Sequence, residues 1–344
     1  MLGGNGQVGA AAALRLAAEG WDVTSSGRSA ERFPRELREA GVRFAGSDRY
    51  AAGELRELLG SGADAVIDCV GYTAAHARML LPFRPGIGSL VFISSKAVYV
   101  DGRGRHSNSD EPPDFGGPVT EKQPTMAPSD SDYNSPEGYG ANKVAAENVL
   151  LDSGLPVSVL RPSRVHGAGG SRPREWVFVK RALDGRRHLL LAHGGRGANH
   201  PTAAVNLAAL AAFCAARPAA RILNIADPDA PDGLVISRII AAHLDCAWTE
   251  ILLDETAPAG LGDHPWNTLP PFTLDTSAAR RLGFVPVGSY AETVKAEVDW
   301  LVRAARSGDL AGALPSPDDP YFLAFFDYAR ENTWLEERSG ATRP

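Results

Sequence analysis

The sequence predicts an α/β protein built on a doubly wound, parallel sheet with a smaller C-terminal lobe. Three observations carry that expectation. Near-continuous apolar runs of strand length alternate with helical patterns, as in a sheet covered on both faces. A glycine-rich turn opens the chain ahead of an alanine-rich helix. Glycine, serine and proline stand where the apolar runs end, at Gly71, Ser94, Ser95 and Pro162, and ligands in such sheets sit beyond the carboxyl ends of the strands.

The elements follow in order. MLGGNGQVG places Gly3, Gly6 and Gly9 at G-x-x-G-x-x-G spacing, and Gly4, Gly6 and Gly9 at G-x-G-x-x-G spacing. Val8 to Glu19 reads as a helix, and WDVTSS as the next strand. Glycines there let a backbone approach a pyrophosphate, and the helix N-terminus offers it free N–H groups. The preceding strand is reduced to Met1 and Leu2. Central strands usually run to about five residues, so a stunted first strand, or one lacking about four to six residues, is expected. Further strands are expected at 42–45, 65–70, 89–95, 157–161 and 222–226, and helices at 52–59, 73–81, 139–152 and 203–216. Between Tyr99 and Tyr139 lies a polar, Pro- and Gly-rich stretch, expected to be a mobile flap or a partly disordered insertion. The dinucleotide-binding domain is assigned to 1–166 with return elements near 203–226, and the substrate lobe to 167–202 and 227–344. The aromatic tail PYFLAFFDYARENTWLEER is read as packing onto that lobe, or as a lid or dimer contact.

The 344 residues carry 35 basic and 41 acidic side chains, a formal charge of −6, which argues against a general nucleic-acid binder. At 44% hydrophobic and 22% charged, the composition is that of a folded chain. No run of about 18 apolar residues suggests a membrane helix, and no signal peptide is visible, so a cytoplasmic location is the default. Cys69, Cys214 and Cys246 fit neither a disulfide framework nor a zinc spacing, and no metal is expected.

Cofactor choice is read at the end of the second strand. Eighteen residues past Gly9 stand Gly27 and Arg28, with Ser25 and Ser26 beside them, where an acidic residue would hold an NAD ribose. An arginine with nearby hydroxyls suits a 2′-phosphate, so NADP is preferred, with NAD possible.

Three further features line up. FISSKAVY ends a strand with Ser95, YGANK places Tyr139 and Lys143 at i and i+4 of a helix, and LRPSRVHG follows the next strand. Tyr139 and Lys143 share a helix face. An ammonium near a phenol would lower a pKa of about 10, letting Tyr139 exchange a proton with an alcohol or carbonyl oxygen that Ser95 orients. Together with the glycine turn, and with NIADPDAP and LDTSAARRLGFVP further on, these motifs resemble the extended short-chain dehydrogenase/reductase family of NAD(P)-dependent epimerases, dehydratases and reductases. The resemblance implies a Rossmann-type fold and a catalytic set of Ser95, Tyr139 and Lys143. It implies cofactor contacts from Gly3, Gly6, Gln7, Val8, Gly9, Ser26, Arg28, Asp48, Gly71, Lys143, Pro162 and Ser163, and a homodimer through the 73–81 and 139–152 helices.

The chain departs from that pattern. The family's dehydratases carry Asp-Glu where this chain has Lys96 and Ala97, so elimination of water is not expected. Arg164 replaces an asparagine usual in nucleotide-sugar enzymes, and Asn199 and His200 stand where a phosphate-binding arginine often lies. Lys96, Arg164 and His166 are read as a basic substrate-binding rim for an anionic or polyhydroxylated ligand, or Arg164 as the partner of Asp110 or Glu111. The expected activity is hydride transfer at a secondary alcohol or ketone, by an epimerase or a reductase; the rival reading is a non-catalytic NADP sensor.

Overall fold

In the computed structural model, which describes residues 1–307, 314–316 and 318–341, the principal parallel sheet is joined through a single residue. Strands β1 (Thr24–Gly27) and β2 (Arg43–Gly46) form one parallel ladder. Strands β3 (Val66–Asp68), β4 (Leu90–Ile93), β5 (Val157–Pro162) and β6 (Arg221–Ile225) form another in that order. Leu2 bridges both, pairing with Ser26 on one side and Asp68 on the other. Its N–H donates to Ile67 O at 2.9 Å and its carbonyl accepts from Cys69 N at 3.1 Å. Ser26 N donates to Met1 O at 2.8 Å, and Gly4 N to Ser26 O at 3.1 Å. One bridge residue, Leu2, thus takes the place of the first strand in the centre of the sheet.

The chain divides into two units: residues 1–165, 200–229 and 272–289, and residues 166–199, 230–271 and 290–344. In the first, helix α1 (Gln7–Ala18) packs against the sheet and against α5 (Ala204–Ala215). The buried alanines of both helices, among them Ala12, Ala13, Ala208 and Ala211, are small enough for close backbone approach, while Leu16, Leu207 and Leu210 fill the remaining space. A second apolar cluster joins Leu55 and Leu59 of α2 (Ala52–Leu59) and Ala77 of α3 (Ala74–Arg78) to Ala146 and Leu150 of α4 (Pro136–Leu151).

Two expected elements differ. The 73–81 helix is shorter: Thr73 caps it by accepting from His76 N at 3.2 Å, and it stops at Arg78. A 3₁₀ turn, Leu81–Gly86, follows, because Pro82 and Pro85 lack the N–H groups an α-helix needs there. Residues 272–289, assigned by sequence to the C-terminal lobe, lie in the first unit: Leu274 bridges Val119, and Phe272 and Leu274 join Val98, Tyr99 and Val119 in one apolar cluster.

The 100–138 stretch holds no α-helix before Pro136, yet it is tied down. Asp101 accepts from the backbone N–H groups of Arg103, Arg105 and Asp114 and pairs with the Arg105 guanidinium at 2.7 Å. Those bonds hold its carboxyl well below the usual carboxylate range. Tyr99 bridges Thr125, and Asn142 Nδ2 donates to Ser131 O at 2.7 Å.

In the second unit the helices Trp176–Leu183, Gly233–His243 and Tyr290–Ser307 surround an apolar core containing Phe178, Ile236, Trp266 and Val298. A parallel pair, His188–Leu191 with Thr249–Leu252, completes it. The aromatic tail packs here: Phe322 is buried in the same core, and Glu331 receives the Arg181 and Arg186 guanidinium groups. No helix among the described residues is long and apolar enough to cross a membrane.

Candidate active site

The glycine turn is built by close approach. A Cβ on Gly9 would meet the Gly3 carbonyl oxygen at 2.3 Å, and one on Gly3, at φ +77°, would meet Val70 Cγ1 at 2.5 Å. Gly6 is different: the nearest heavy atom to a Cβ there is Gly3 O at 3.7 Å, so the fold itself leaves the place open. Gly6 is the N-cap of α1 without a side-chain cap, and the first turn, with Gln7, Val8 and Gly9, holds no acidic residue. The N–H groups of a helix start, with the positive end of its dipole uncompensated, make an anion seat. The Ser25 and Ser26 hydroxyls and Asn5 Oδ1 are buried without hydrogen-bond partners beside it. A pyrophosphate and ribose supply the charge and hydroxyls these groups lack, so the residues fit a dinucleotide.

Gly27 has a structural reason that the sequence did not show. A Cβ there would lie 2.8 Å from Asn5 Nδ2, which donates to Ser29 O at 3.0 Å. Arg28, exposed, shares the walls of a cavity of about 940 Å³ with Tyr50, Tyr72, Asn108, Tyr133 and Tyr139. Asp48 accepts from Tyr50 N at 2.9 Å, which closes the turn after β2. Gly71 follows β3, where a Cβ would meet Asp68 Oδ2 and Phe92 Cε2, both at 2.7 Å. Pro162 ends β5, and the buried Ser163 hydroxyl next to it has no partner.

Helix α4 begins at Ser135, whose hydroxyl accepts from Gly138 N at 2.9 Å, with Pro136 in the first turn. That start sets Tyr139, Lys143 and Glu147 one turn apart along a buried face. The Ser95 hydroxyl, which accepts from Ala97 N at 3.1 Å, is close enough to the Tyr139 phenol to favour its ionised form. The phenol is nonetheless pushed up to about 12 by burial, reinforced by Tyr72 and opposed by Ser95. Lys143, expected to hold Tyr139 toward phenolate, is not among the groups that shift it. Lys143 Nζ donates to Gly71 O at 2.7 Å and Ile93 O at 2.8 Å, and burial brings it down to about 8. It lies 4.6 Å from the Tyr72 ring centroid. Below it, Glu147 accepts from the Ser94 hydroxyl and pairs with the Arg161 guanidinium, all buried. Ser94 therefore serves structure and Ser95 faces the phenol.

An aromatic wall was missed by the sequence reading. Tyr72 stacks on Tyr133, with centroids 5.3 Å apart and planes at 5°, and Tyr50 lies 4.4 Å from His76. Only the position of Tyr72, just past a predicted strand end, could have signalled it.

Lys96, Arg164 and His166, read as a basic rim, stand in different settings. Lys96 is buried with its ammonium 3.8 Å from the Phe272 ring centroid. His166 belongs to the second unit, buried against Glu297. Arg164 belongs to the first, where its carbonyl accepts from Thr202 N at 2.9 Å; Glu111, one of its suggested partners, meets Arg105 at 3.3 Å. His200 is held by backbone, with Nε2 at 2.9 Å from Asp227 O and Nδ1 accepting from Leu274 N at 3.1 Å.

Fold and site together define a nicotinamide-dinucleotide enzyme. Residues 1–84 match the model of the NAD dependent epimerase/dehydratase family, and residues 82–185 match an NAD-binding model described as male sterility protein. Both matches agree with the resemblance to the extended short-chain dehydrogenase/reductase family. Its fold is similar to that of UDP-glucose 4-epimerase from Thermus thermophilus in complex with NAD, at 18% identity and TM-score 0.64, covering 88% of this chain and 98% of that one. It is similar to a DesIV double mutant, the dTDP-glucose 4,6-dehydratase of Streptomyces venezuelae, at 21% identity and TM-score 0.65, covering 91% and 98%. A putative epimerase from Burkholderia cenocepacia J2315 is similar at 20% identity and TM-score 0.66, covering 87% and 96%. No curated protein matches the sequence.

Proposed function

We propose that the enzyme transfers hydride between NADP and a secondary alcohol or ketone of a small, sugar-like substrate. The observation that carries this reading is that Tyr139 and Arg28 line one cavity, with the Tyr139 phenol under the influence of Ser95. The turn at Gly3, Gly6 and Gly9 would hold the pyrophosphate, Ser26 and Arg28 the 2′-phosphorylated ribose, and Lys143 a hydroxyl of the nicotinamide ribose through its remaining N–H. The bound nicotinamide supplies or accepts hydride. Ser95 orients the substrate oxygen, and Tyr139, kept protonated by burial, gives that oxygen its proton or takes it back.

Relatives of similar fold carry UDP-glucose and dTDP-glucose in their names, which supports a sugar-like substrate. The side chains at 96 and 97 favour epimerisation or reduction over dehydration: Ala97 has no proton to exchange, and the Lys96 ammonium is turned onto Phe272. We further propose a homodimer through α3 and α4, which pack together and leave Ala75, Arg78 and Asn148 exposed; sedimentation at micromolar concentration tests it. The deciding experiment for the function is identification of the cofactor released on denaturing the purified protein, and its oxidation state. Tightly retained NADP supports an epimerase, and freely exchanging NADPH a reductase. No affinity for either dinucleotide would refute the reading.

A further inference from the structure

In the second unit, three side chains far apart in sequence meet in one buried cluster. His166, Glu175 and Glu297 each offer a ligand atom, and these atoms lie within 4.8 Å of one another. All three residues are at most 3% exposed. His166 Nδ1 lies 3.7 Å from Glu297 Oε2, which also accepts from Gly167 N at 2.5 Å. The Tyr290 hydroxyl donates to Glu175 Oε1 at 3.1 Å. Glu297 Oε1, equally buried, has no hydrogen-bond partner.

We propose that His166, Glu175 and Glu297 bind one divalent transition-metal ion, with zinc the best match. One imidazole nitrogen and two carboxylate oxygens form a borderline N/O set suited to zinc, with typical bonds of about 2.0–2.2 Å. Tetrahedral geometry at those lengths separates ligand atoms by about 3.4 Å, so the 3.7 Å between His166 and Glu297 needs little adjustment. Two carboxylates closed off from water are costly without a compensating cation. A dication balances two carboxylates and a neutral imidazole. The ion would be structural, since all three of its protein ligands are buried. It would tie the chain entering this unit to the N-cap of the Trp176–Leu183 helix, which is Glu175, and to the Tyr290–Ser307 helix.

The test uses the full chain, dialysed against chelator and titrated separately with zinc, manganese and magnesium chlorides by calorimetry and thermal denaturation. One zinc per chain should bind and raise the Tm, with magnesium far weaker. Glu297→Gln, which keeps the shape of the side chain and removes one buried charge and so should fold, and His166→Asn should each weaken zinc by more than the roughly 10–100-fold typical of outer-shell changes. Cobalt substitution adds a readout independent of stability: N/O-type visible bands without a thiolate charge-transfer band. Absence of saturable one-to-one binding would overturn the proposal. So would unchanged affinity in both variants, or a thiolate band.

Discussion

The Lys143 ammonium lies 2.7 Å from the carbonyl oxygen of Gly71, the residue that carries the chain away from the end of β3. With its second bond to Ile93 O, it fastens α4 to the ends of two neighbouring strands. Lys143→Met therefore removes a structural clamp along with a site residue. Leaving two buried carbonyls unpaired costs about 1–3 kcal/mol each. Urea denaturation of the variant should show that loss near neutral pH, together with loss of turnover.

The same lysine gives a pH signature. Its folded pKa, about 8, lies below the ordinary 10.5. Between those values the unfolded chain binds more protons than the folded one, so this group's contribution to stability rises with pH across the window. Below about 8 both states hold the proton and the cost of burying the charge stands in full. The wild type minus Lys143→Met difference in stability should grow from about pH 8 to about pH 10.5; a flat difference would contradict the burial reading.

Tyr139→Phe keeps the ring and removes the exchangeable proton. General acid–base groups typically contribute about 10²–10⁴-fold to rate, so turnover should fall by that order with cofactor affinity nearly unchanged. Steady-state kinetics beside a cofactor titration separates the two quantities.

Gly6 and Gly9 make a matched pair. Gly9→Ala drives a methyl against the Gly3 carbonyl, at 2.3 Å, and should cost about 1–3 kcal/mol of stability. Gly6→Ala meets nothing in the protein closer than 3.7 Å. It should leave the Tm of the cofactor-free protein near wild type and weaken the dinucleotide, as calorimetry would show.

For cofactor choice, Arg28→Ala should erase a roughly 10–100-fold preference for NADP while sparing NAD. Gly27→Asp alone should weaken both cofactors, because its Cβ would lie 2.8 Å from Asn5 Nδ2. The turn toward NAD should appear when Asn5→Gly is added. Equal dissociation constants for the two cofactors in the wild type would remove the assignment to NADP.

Alternation of apolar runs was enough to read β3, β4 and β5, because each is buried along its whole length and carries its own local signal. The shared helix face of Tyr139 and Lys143 was legible for a similar reason: the two sit one helical turn apart. Other features depend on contacts that sequence distance hides. Asn5 against Gly27 is a side-chain contact across the glycine turn, and no spacing rule reports it. His166 and Glu297 are 131 positions apart, 297 − 166, yet only 3.7 Å separate their nearest polar atoms. The 100–138 stretch looked loose because its order comes from one carboxylate, Asp101, gathering backbone N–H groups rather than from periodicity.

Glu147 sets the rotational phase of α4. It stands four residues beyond Lys143 and eight beyond Tyr139, and Ser94 and Arg161 grip it from the sheet side. A helix turns by about 100° per residue, so slippage of one position would swing the phenol away from Ser95 and the ammonium off its two carbonyls. Arg161 and Glu147 thus act as an angular stop that fixes which way Tyr139 and Lys143 face.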